Sequence, residues 1–381
     1  MNEGTQDITE YNDEDLGVDI SLPDIPIPTA QDEEKKIVKD DVEVAFKFSF
    51  VGAGQGGCRI AETFSRLGYR KIAAINTAVQ DLNTVKLDNK LCIGGGGAGK
   101  DPQKATKIYE KKEEDVLDFL RYSFGDEFDR TFVCVGAGGG TGAGTMVPLV
   151  HTSIELQKSL GIDPEVGLII ALPKSSEGKK VNANAYKALE KAYDLVEDGL
   201  VSPLIIVDNE RISKLYPGLV VSNFWQTANS SMAGLFHLFN LTAARDGTYT
   251  AFDSKDYMSV LNSGLIVFGA APVKDWKDPV SISRAVRDNL KGNILSGGID
   301  LSSGDCAGVI IVGGKEALDN TPQRNLDQAY DQLSRILKKN STVHRGIYSG
   351  DKAGLTVYST IGGLSRPVDK LKELKKLGDL A

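Results

Sequence analysis

The sequence predicts an α/β protein built on a doubly wound parallel sheet, because apolar strands and amphipathic helices alternate through its first half. Short, continuously apolar segments such as "EVGLIIALP" and "SPLIIVDN" flank the helical segment "NANAYKALEKAYDLVEDG". Strands that lack polar alternation are typical of a parallel sheet covered by helices on both faces. In this fold class, ligands bind beyond the carboxyl ends of the strands.

The first elements begin at about residue 46. The segment "FKFSFVGAG" predicts a strand that enters a glycine turn, and "CRIAETFSRLG" predicts an amphipathic helix that ends at Gly68. The second strand is predicted in "KIAAINT", and "KATKIYEKKEEDVLDFLRYSF" predicts one long helix. A third strand, "RTFVCVGA", leads through glycines into the helix "TMVPLVHTSIELQKSLG".

The second half of the chain changes character. A long helix is predicted from about Phe224 to Ala244, and the strands "GLIVFGAA", "AGVIIVGG" and "GLTVYSTIGG" follow after Asp253. These strands indicate a smaller α+β domain. The final segment "VDKLKELKKLGDLA" predicts a short helix that either packs on the body of the protein or serves a partner.

Composition and charge exclude several classes of function. Residues 1–45 hold 14 Asp or Glu and 3 Lys, whereas the whole chain has a net charge of −8, so residues 46–381 carry about +3. A net charge of this size does not indicate a basic surface for nucleic acid, so direct nucleic-acid binding is not expected. No apolar run reaches the ~18–20 residues that span a bilayer. We therefore expect a cytoplasmic protein without a membrane partner and with an acidic, disordered N-terminal extension.

The cysteines and histidines predict no metal site. The four cysteines are widely spaced and form no C-x-x-C pair, so neither a disulfide framework nor a zinc site is indicated. The histidines, which are isolated in the sequence, are expected to be structural; they are His151, His237 and His344.

Three glycine-rich segments each follow a predicted strand: Gly52–Gly57 (GAGQGG), Gly94–Lys100 (GGGGAGK) and Gly138–Gly144 (GGGTGAG). Glycine costs roughly 0.5–1 kcal/mol relative to alanine inside regular structure, so such runs need a reason. Glycine lets backbone N–H groups approach an anion closely, and a following helix adds the positive end of its dipole. Three such loops at successive strand ends predict a polyphosphate ligand.

Two widespread nucleotide motifs each fail at one position. Gly52–Gly57 fits the dinucleotide fingerprint, but Asn76 and Thr77 stand where that motif requires an acid about 20 residues further on. Gly94–Lys100 fits the start of a P-loop, but Asp101 follows instead of the Ser or Thr that holds magnesium. A nicotinamide-dependent dehydrogenase remains an alternative only if the first loop is considered alone.

The third loop resembles the signature of the tubulin/FtsZ superfamily, GGGTG followed by a small residue and Gly, between a strand and a helix. The first loop resembles the first nucleotide loop of tubulins. "AINTAVQDL" is similar to the second loop of FtsZ, except that Ala78 replaces its usual acid. "PKSSEGKK" resembles the sugar-contacting loop, although Val181 stands where FtsZ carries an arginine. The resemblance covers about residues 46–365.

This resemblance implies a tubulin/FtsZ-like fold that binds GTP or GDP together with Mg²⁺, with no metal held by the protein's side chains alone. It also implies that Glu177 contacts the sugar and that Asn209 contacts the base or ribose. The remaining positions matched to the nucleotide loops are Gly54, Gln55, Gly56, Gly57, Asn76, Gly96, Gly97, Ala98, Gly138, Gly139, Gly140, Thr141 and Gly142.

Recognition of the base is predicted from the start of the long helix. Trp225 and Asn229 are four residues apart and so share one face of a helix. An aromatic ring at this place stacks on a purine while the amide of Asn229 bonds to its edge, and the guanine-recognising helix of the family carries this pair. The alternative for Trp225 is a core aromatic residue.

The hydrolytic residues are predicted at the other end of that helix. About 20 residues at ~1.5 Å each span roughly 30 Å, so the loop "ARDGTYTAFDSKD" lies far from the nucleotide of its own subunit. The resemblance implies that this loop enters the pocket of the next subunit, and Asp253 and Asp256 match the acidic pair of FtsZ that orients the attacking water. Ala251 replaces an asparagine of FtsZ, and Asp253 has the alternative role of capping the next helix.

A site shared by the top of one subunit and the bottom of another makes a head-to-tail contact, which yields open filaments unless it closes a ring. The departures at Ala78, Val181 and Ala251 place the resemblance nearer to the divergent TubZ and phage tubulin-like groups, or to the archaeal CetZ group, than to division FtsZ. We therefore predict a dynamic filament of GTPase subunits that moves plasmid or phage DNA through a DNA-binding adaptor. The alternative is an FtsZ- or CetZ-like filament for cell division or cell shape.

The predicted domain organisation has five parts. They are an acidic extension (residues 1–45), a GTP-binding domain (46–222), a central helix (223–245), a C-terminal activation domain (246–365) and a short tail (366–381).

Overall fold

A computed structural model describes residues 43–218, 221–247, 249–291, 299–350 and 353–380. Its strands form one ten-stranded sheet in the order β3-β2-β1-β4-β5-β6-β7-β10-β8-β9. The strands are β1 (Phe48–Ala53), β2 (Ile72–Asn76), β3 (Lys90–Cys92), β4 (Arg130–Gly136), β5 (Val166–Leu172), β6 (Leu204–Asp208), β7 (Leu265–Pro272), β8 (Cys306–Gly313), β9 (Thr342–Ser349) and β10 (Leu355–Leu364).

The helices cover both faces of this sheet. They are α1 (Gly54–Arg66), α2 (Val79–Leu82), α3 (Pro102–Glu110), α4 (Glu113–Phe124), α5 (Thr141–Ser159), α6 (Lys179–Glu197), α7 (Asn209–Leu215), α8 (Val221–Thr242), α9 (Ser254–Leu261), α10 (Pro279–Lys291), α11 (Lys315–Asn320), α12 (Gln323–Ile336) and α13 (Val368–Leu377). Within the described residues, no helix combines the length and the apolar character needed to cross a membrane.

The sheet is parallel from β3 through β7, and only β10 runs antiparallel to its neighbours. One apolar core lies between the sheet and α3 to α6, α10, α12 and α13, and a second lies between the sheet and α1, α8 and α9. The predicted doubly wound architecture is confirmed. Because the first strands are parallel, the loops that follow β1, β3 and β4 all emerge at the same edge.

Three details differ from the sequence-based expectation. The single long helix predicted before β4 is two helices, since α3 ends at Glu110 and α4 starts at Glu113 with three acidic residues in its first turn. Acidic residues are favoured at a helix N-terminus by the helix dipole. In addition, α1 starts at Gly54 and α5 at Thr141, so several loop glycines already belong to helices.

The C-terminal strands continue the sheet of the first half instead of forming a separate one. The connection is narrow, since β6 pairs with β7 only at Leu204–Leu265 and Ile205–Ile266. The domain boundaries given above stay predictions. At the end of the described chain, α13 packs against α6 and buries Leu371 and Leu374.

Candidate functional site

The three glycine segments meet at the carboxyl edge of the sheet. Gly54 opens α1 with a φ of 70°, and a Cβ there would come within 2.8 Å of the Gly142 nitrogen. A Cβ on Gly140 would lie 2.8 Å from both the Ala98 Cβ and the Asp101 nitrogen. The third segment therefore touches the first and the second, and the glycines give one continuous backbone surface.

A buried polar network joins the end of β2 to these loops. The hydroxyls of Thr77 and Thr141 lie 2.7 Å apart, and Thr141 also donates to the Asn76 amide oxygen at 3.4 Å. The Ala78 nitrogen donates to the same oxygen, and the Gly97 nitrogen donates to the Thr77 carbonyl. Asn76 thus fixes the position of the loops through its side chain, in addition to its predicted contact with nucleotide.

Asn184 on α6 is a site residue that the sequence did not reveal. Its amide nitrogen donates to the Lys100 carbonyl at 3.1 Å and to the Gly138 carbonyl at 3.2 Å. It thereby connects the second glycine segment to the third. No signal in the sequence points to it, because a single asparagine inside a helix belongs to no motif.

The surface formed by the loops suits a polyphosphate. Helix α5 begins at Thr141 and runs for 19 residues, so its first N–H groups and the positive end of its dipole face this edge. Two ammonium groups stand beside the second segment, where Lys104 donates to the Gly97 carbonyl at 2.9 Å and Lys180 to the Gly99 carbonyl at 3.5 Å. Val181 is buried against Gly138.

The predicted sugar loop lies between β5 and α6 and is held by α7. Glu177 is exposed and accepts a hydrogen bond from the Lys174 nitrogen at 2.8 Å. The Glu210 carboxylate accepts bonds from the Ser175 nitrogen at 2.9 Å and from the Ser175 hydroxyl at 3.0 Å. These bonds from Ser175 lower the pKa of Glu210. Glu210 is a second site residue that no sequence motif predicts.

Asn209 precedes Glu210 and is the first residue of α7. Its side chain is buried, and within the described part of the chain its Oδ1 atom has no hydrogen-bond partner. Buried polar atoms in proteins are normally satisfied, so this oxygen suits a contact with a bound ligand.

The two residues predicted to read the base lie on α8. Asn229 is buried on this helix. The side chain of Trp225 lies outside the described residues. Its neighbour Phe224 is buried, and the Lys174 ammonium stands 3.8 Å from the centre of the Phe224 ring. This contact brings the sugar loop against the start of α8.

The described residues contain no group of three His, Cys, Asp or Glu side chains that could enclose a metal ion. Mg²⁺ at nucleotide sites keeps several waters and is held by phosphates together with one or two carboxylates. The site therefore fits Mg²⁺ as the companion of a bound triphosphate. Asp81, whose Oδ2 lies 3.4 Å from the Asn76 amide nitrogen, is a carboxylate that adjoins the loops.

The predicted acidic loop lies at the opposite edge of the sheet. Arg130, the first residue of β4, donates to the Leu261 carbonyl at the end of α9 at 3.1 Å. Asn240, near the end of α8, accepts a bond from the nitrogen of Phe46, two residues before β1. Helix α8 has 22 residues and therefore spans about 33 Å. Asp253 and Asp256 are thus remote from the glycine loops of their own chain.

Asp253 and Asp256 cap α9 reciprocally. Asp253 accepts from the nitrogens of Lys255 at 2.8 Å and Asp256 at 3.0 Å, and Asp256 accepts in return from the Asp253 nitrogen at 3.2 Å. The alternative role of Asp253 as the cap of α9 is therefore confirmed. The other oxygen of Asp256 lies 2.6 Å from His344 Nδ1, a contact with a distant strand that no sequence motif indicates.

A mostly parallel sheet, three glycine loops at its carboxyl edge and a long helix that leads to an acidic loop define the tubulin-like class of folds. Residues 47–217 match the family described as Tubulin/FtsZ family, GTPase domain. This segment of the chain is therefore similar to the GTPase domain of the Tubulin/FtsZ family.

Relatives by sequence include a tubulin-like protein and a cell division protein. The chain is 25% identical over 285 residues to the tubulin-like protein TubZ of Bacillus cereus, an alignment that covers 68% of this chain and 63% of TubZ. It is also 25% identical over 317 residues to the cell division protein FtsZ 1 of Archaeoglobus fulgidus, covering 80% of this chain and 78% of the relative. The chain thus spans less than two thirds of the length of TubZ.

Solved structures confirm the fold. A GTPγS-form protofilament of TubZ from Bacillus thuringiensis serovar israelensis superposes with a TM-score of 0.76 at 18% identity, covering 88% of this chain and 93% of the other. A GTPγS-bound protofilament of CetZ2 from Haloferax volcanii superposes with a TM-score of 0.72 at 20% identity, covering 87% and 98%.

Proposed function

We propose that this protein is a GTPase that polymerises head to tail into dynamic filaments, and that each subunit supplies the acids that complete the site of its neighbour. The observation that carries the proposal is the position of Asp253 and Asp256 at the edge of the sheet opposite the glycine loops. With about 33 Å of α8 between the two regions, the acids reach a nucleotide only in another copy of the chain.

The chemistry of the proposal divides between the two edges. The backbone of the glycine loops and the start of α5 bind and orient the phosphates of GTP, and Asn209, Trp225 and Asn229 recognise the nucleoside. Mg²⁺ supplies charge neutralisation on the phosphates when bound. Asp256 of the adjoining subunit orients the attacking water, which is a positioning task. Hydrolysis to GDP and phosphate then weakens the contact and makes the filament dynamic.

For the cellular role, we propose cytoplasmic transport or positioning of plasmid or phage DNA through a DNA-binding adaptor. The similarity to TubZ supports this role, because one of the similar TubZ structures is described as a type III plasmid segregation protein. The similarity to FtsZ 1 and CetZ2 supports the second candidate, a filament for cell division or cell shape. Deleting the gene separates the two, since plasmid loss with normal morphology favours the first and division or shape defects favour the second.

The GTPase proposal is tested by measuring turnover against protein concentration. Turnover per subunit should be negligible below a threshold and should rise once polymer forms, because the site is complete only between subunits. Asp256→Ala should abolish turnover and leave stable GTP-bound polymers. Asp246→Ala, which removes an exposed carboxylate from the same loop, is the matched control and should retain both activities. A rate per subunit that is independent of concentration contradicts the proposal.

A further inference from the structure

Strand β9 contacts the acidic loop through Ile347, Tyr348 and His344. The Ile347 nitrogen donates to the Thr250 carbonyl at 2.9 Å, and the two residues form an antiparallel bridge. The Tyr348 hydroxyl accepts from the Phe252 nitrogen at 2.8 Å and donates to the Phe252 carbonyl at 3.2 Å. The backbone just before Asp253 is therefore fixed to this edge strand.

His344 extends the same attachment to Asp256. Its Nδ1 lies 2.6 Å from the Oδ1 of Asp256, and the His344 and Asp256 side chains are 17% and 25% exposed. The imidazole packs edge-on against the Phe252 ring at 6.4 Å between centroids. Its register partner on β8 is Gly308, where a Cβ would lie 2.7 Å from the Phe252 ring. The glycine thus leaves the space that lets Phe252 support the histidine.

The two oxygens of Asp256 have different partners. Oδ1 contacts His344 Nδ1, and Oδ2 accepts from the Asp253 nitrogen at 3.2 Å. An ionised carboxylate only accepts hydrogen bonds, so Nδ1 carries the hydrogen. Within the described residues, the buried Nε2 of His344 has no partner. The imidazole therefore makes its one described polar contact with Asp256, and this contact fixes the orientation of the carboxylate.

We propose that His344 is a positioning residue for Asp256, which it holds in the orientation needed to act on the nucleotide of the next subunit. The inference rests on the proposed function of Asp256. Without the bond from Nδ1, the carboxylate keeps only its bond to the Asp253 nitrogen and is free to turn about its last torsion. A misplacement of about 1 Å in a catalytic arrangement costs up to 100-fold in rate.

Three substitutions test this role. The amide nitrogen of His344→Asn occupies nearly the place of Nδ1, whereas that of His344→Gln reaches toward the place of Nε2, and His344→Leu has no donor. Turnover per polymerised subunit should stay within about threefold for the Asn variant and fall roughly 10- to 100-fold for the Gln and Leu variants. The critical concentration for assembly should be similar in all three variants, because the substitutions alter the orientation of the Asp256 carboxylate more than the affinity between subunits.

Several outcomes overturn the inference. Equal turnover in the Asn, Gln and Leu variants excludes a role for the Nδ1 donor, whether all three are active or all three are inactive. If the Leu variant does not fold, the comparison of Asn with Gln still decides, because both keep a polar side chain. Asp256→Ala is measured in parallel: if it abolishes turnover while His344→Leu does not, only the inference fails. If Asp256→Ala keeps full turnover, the proposed function itself fails.

Discussion

Among the residues of the candidate site, the glycines differ in whether the structure leaves room for a side chain. At Gly140 the obstacle is close approach, because a Cβ would lie 2.8 Å from the Ala98 Cβ and from the Asp101 backbone nitrogen. At Gly95, in the neighbouring segment, an added Cβ would meet nothing within 4 Å. Substitutions at these two positions therefore distinguish the effect of a clash between the loops from the effect of losing a glycine.

Gly140→Ala should weaken GTP binding, because the new methyl group forces the second and third segments apart. Overpacking of this kind costs about 1–3 kcal/mol, which corresponds to roughly 5- to 150-fold in affinity if the strain is relieved in the unbound protein. Calorimetric titration with GTPγS below the assembly threshold measures the effect. Gly95→Ala is the control and should bind within about twofold of the original protein. Equal losses in both variants would show that the contact between the loops does not matter.

The sequence identifies candidate residues that belong to motifs, and their roles stay predictions, but it misses residues that act through distant partners. The glycine loops are visible because several glycines follow apolar strands. Asn184, Glu210 and His344 are invisible because their partners lie 35 or more residues away in the chain. Their contacts exist only once strands and helices from separate parts of the sequence have packed together.

The same limit applies to whole elements. The segment that forms α3 and α4 contains no proline or glycine between the two helices, so the sequence predicted one helix where the backbone turns at Lys111 and Lys112. Strand β9 was missed because "TVHRGIYS" is largely polar and exposed at its start, as expected of an edge strand. Helix α8, by contrast, is predicted within a few residues of its observed ends, because its second half (MAGLFHLF) is a continuous, largely apolar run.

The packing of α8 on the first strand and helix includes a buried polar cluster. His237 Nδ1 lies 3.1 Å from the Tyr69 hydroxyl, and the Asn240 amide donates to the same hydroxyl at 3.1 Å. Burial lowers the pKa of His237 to about 4. The central helix is thus packed around a histidine that is neutral in the folded protein over a wide range of pH.

This cluster predicts a pH-dependent stability of the fold. In the unfolded chain His237 binds a proton below a pH of about 6.5, whereas the folded chain resists protonation until about pH 4. The contribution of neutral His237 to the free energy of unfolding is therefore complete above pH 6.5 and is lost progressively as the pH falls to 4. This contribution amounts to about 3 kcal/mol. Urea unfolding at pH 7 and pH 5 measures this dependence.

His237→Gln is the comparison that isolates this histidine from the carboxylates that also titrate in acid. The free energy of unfolding of the original protein should fall by about 2 kcal/mol more than that of the variant between pH 7 and pH 5. Parallel pH dependences of the two proteins would mean that the folded state accepts the proton without cost.

At the scale of the whole molecule, the proposed function assigns two half-sites to opposite edges of one sheet. The carboxyl edge holds the glycine loops, and the amino edge holds α9, where Arg130 bonds to the Leu261 carbonyl and the Asn262 side chain. Stacking copies in the same orientation brings the acids of one against the loops of the next. In the proposed assembly, such a heterologous contact leaves one free half-site at each end, so further subunits can add to form a filament.

This arrangement predicts that two inactive variants restore each other. Asp256→Ala keeps its glycine loops, and Gly140→Ala keeps its acids, so an interface that pairs the loops of the first with the acids of the second is complete. Random copolymers of equal amounts should make about one quarter of the interfaces productive, giving about a quarter of the original turnover. The measurement is phosphate release at a GTP concentration where Gly140→Ala alone is nearly inactive, with pelleting to verify that both variants enter the polymer.

The control mixes Asp256→Ala with the double variant Asp256→Ala/Gly140→Ala, which contains no intact acid pair and should stay inactive. Copolymers that form normally but hydrolyse no GTP would place the catalytic acids and the nucleotide in the same subunit, against the geometry of α8.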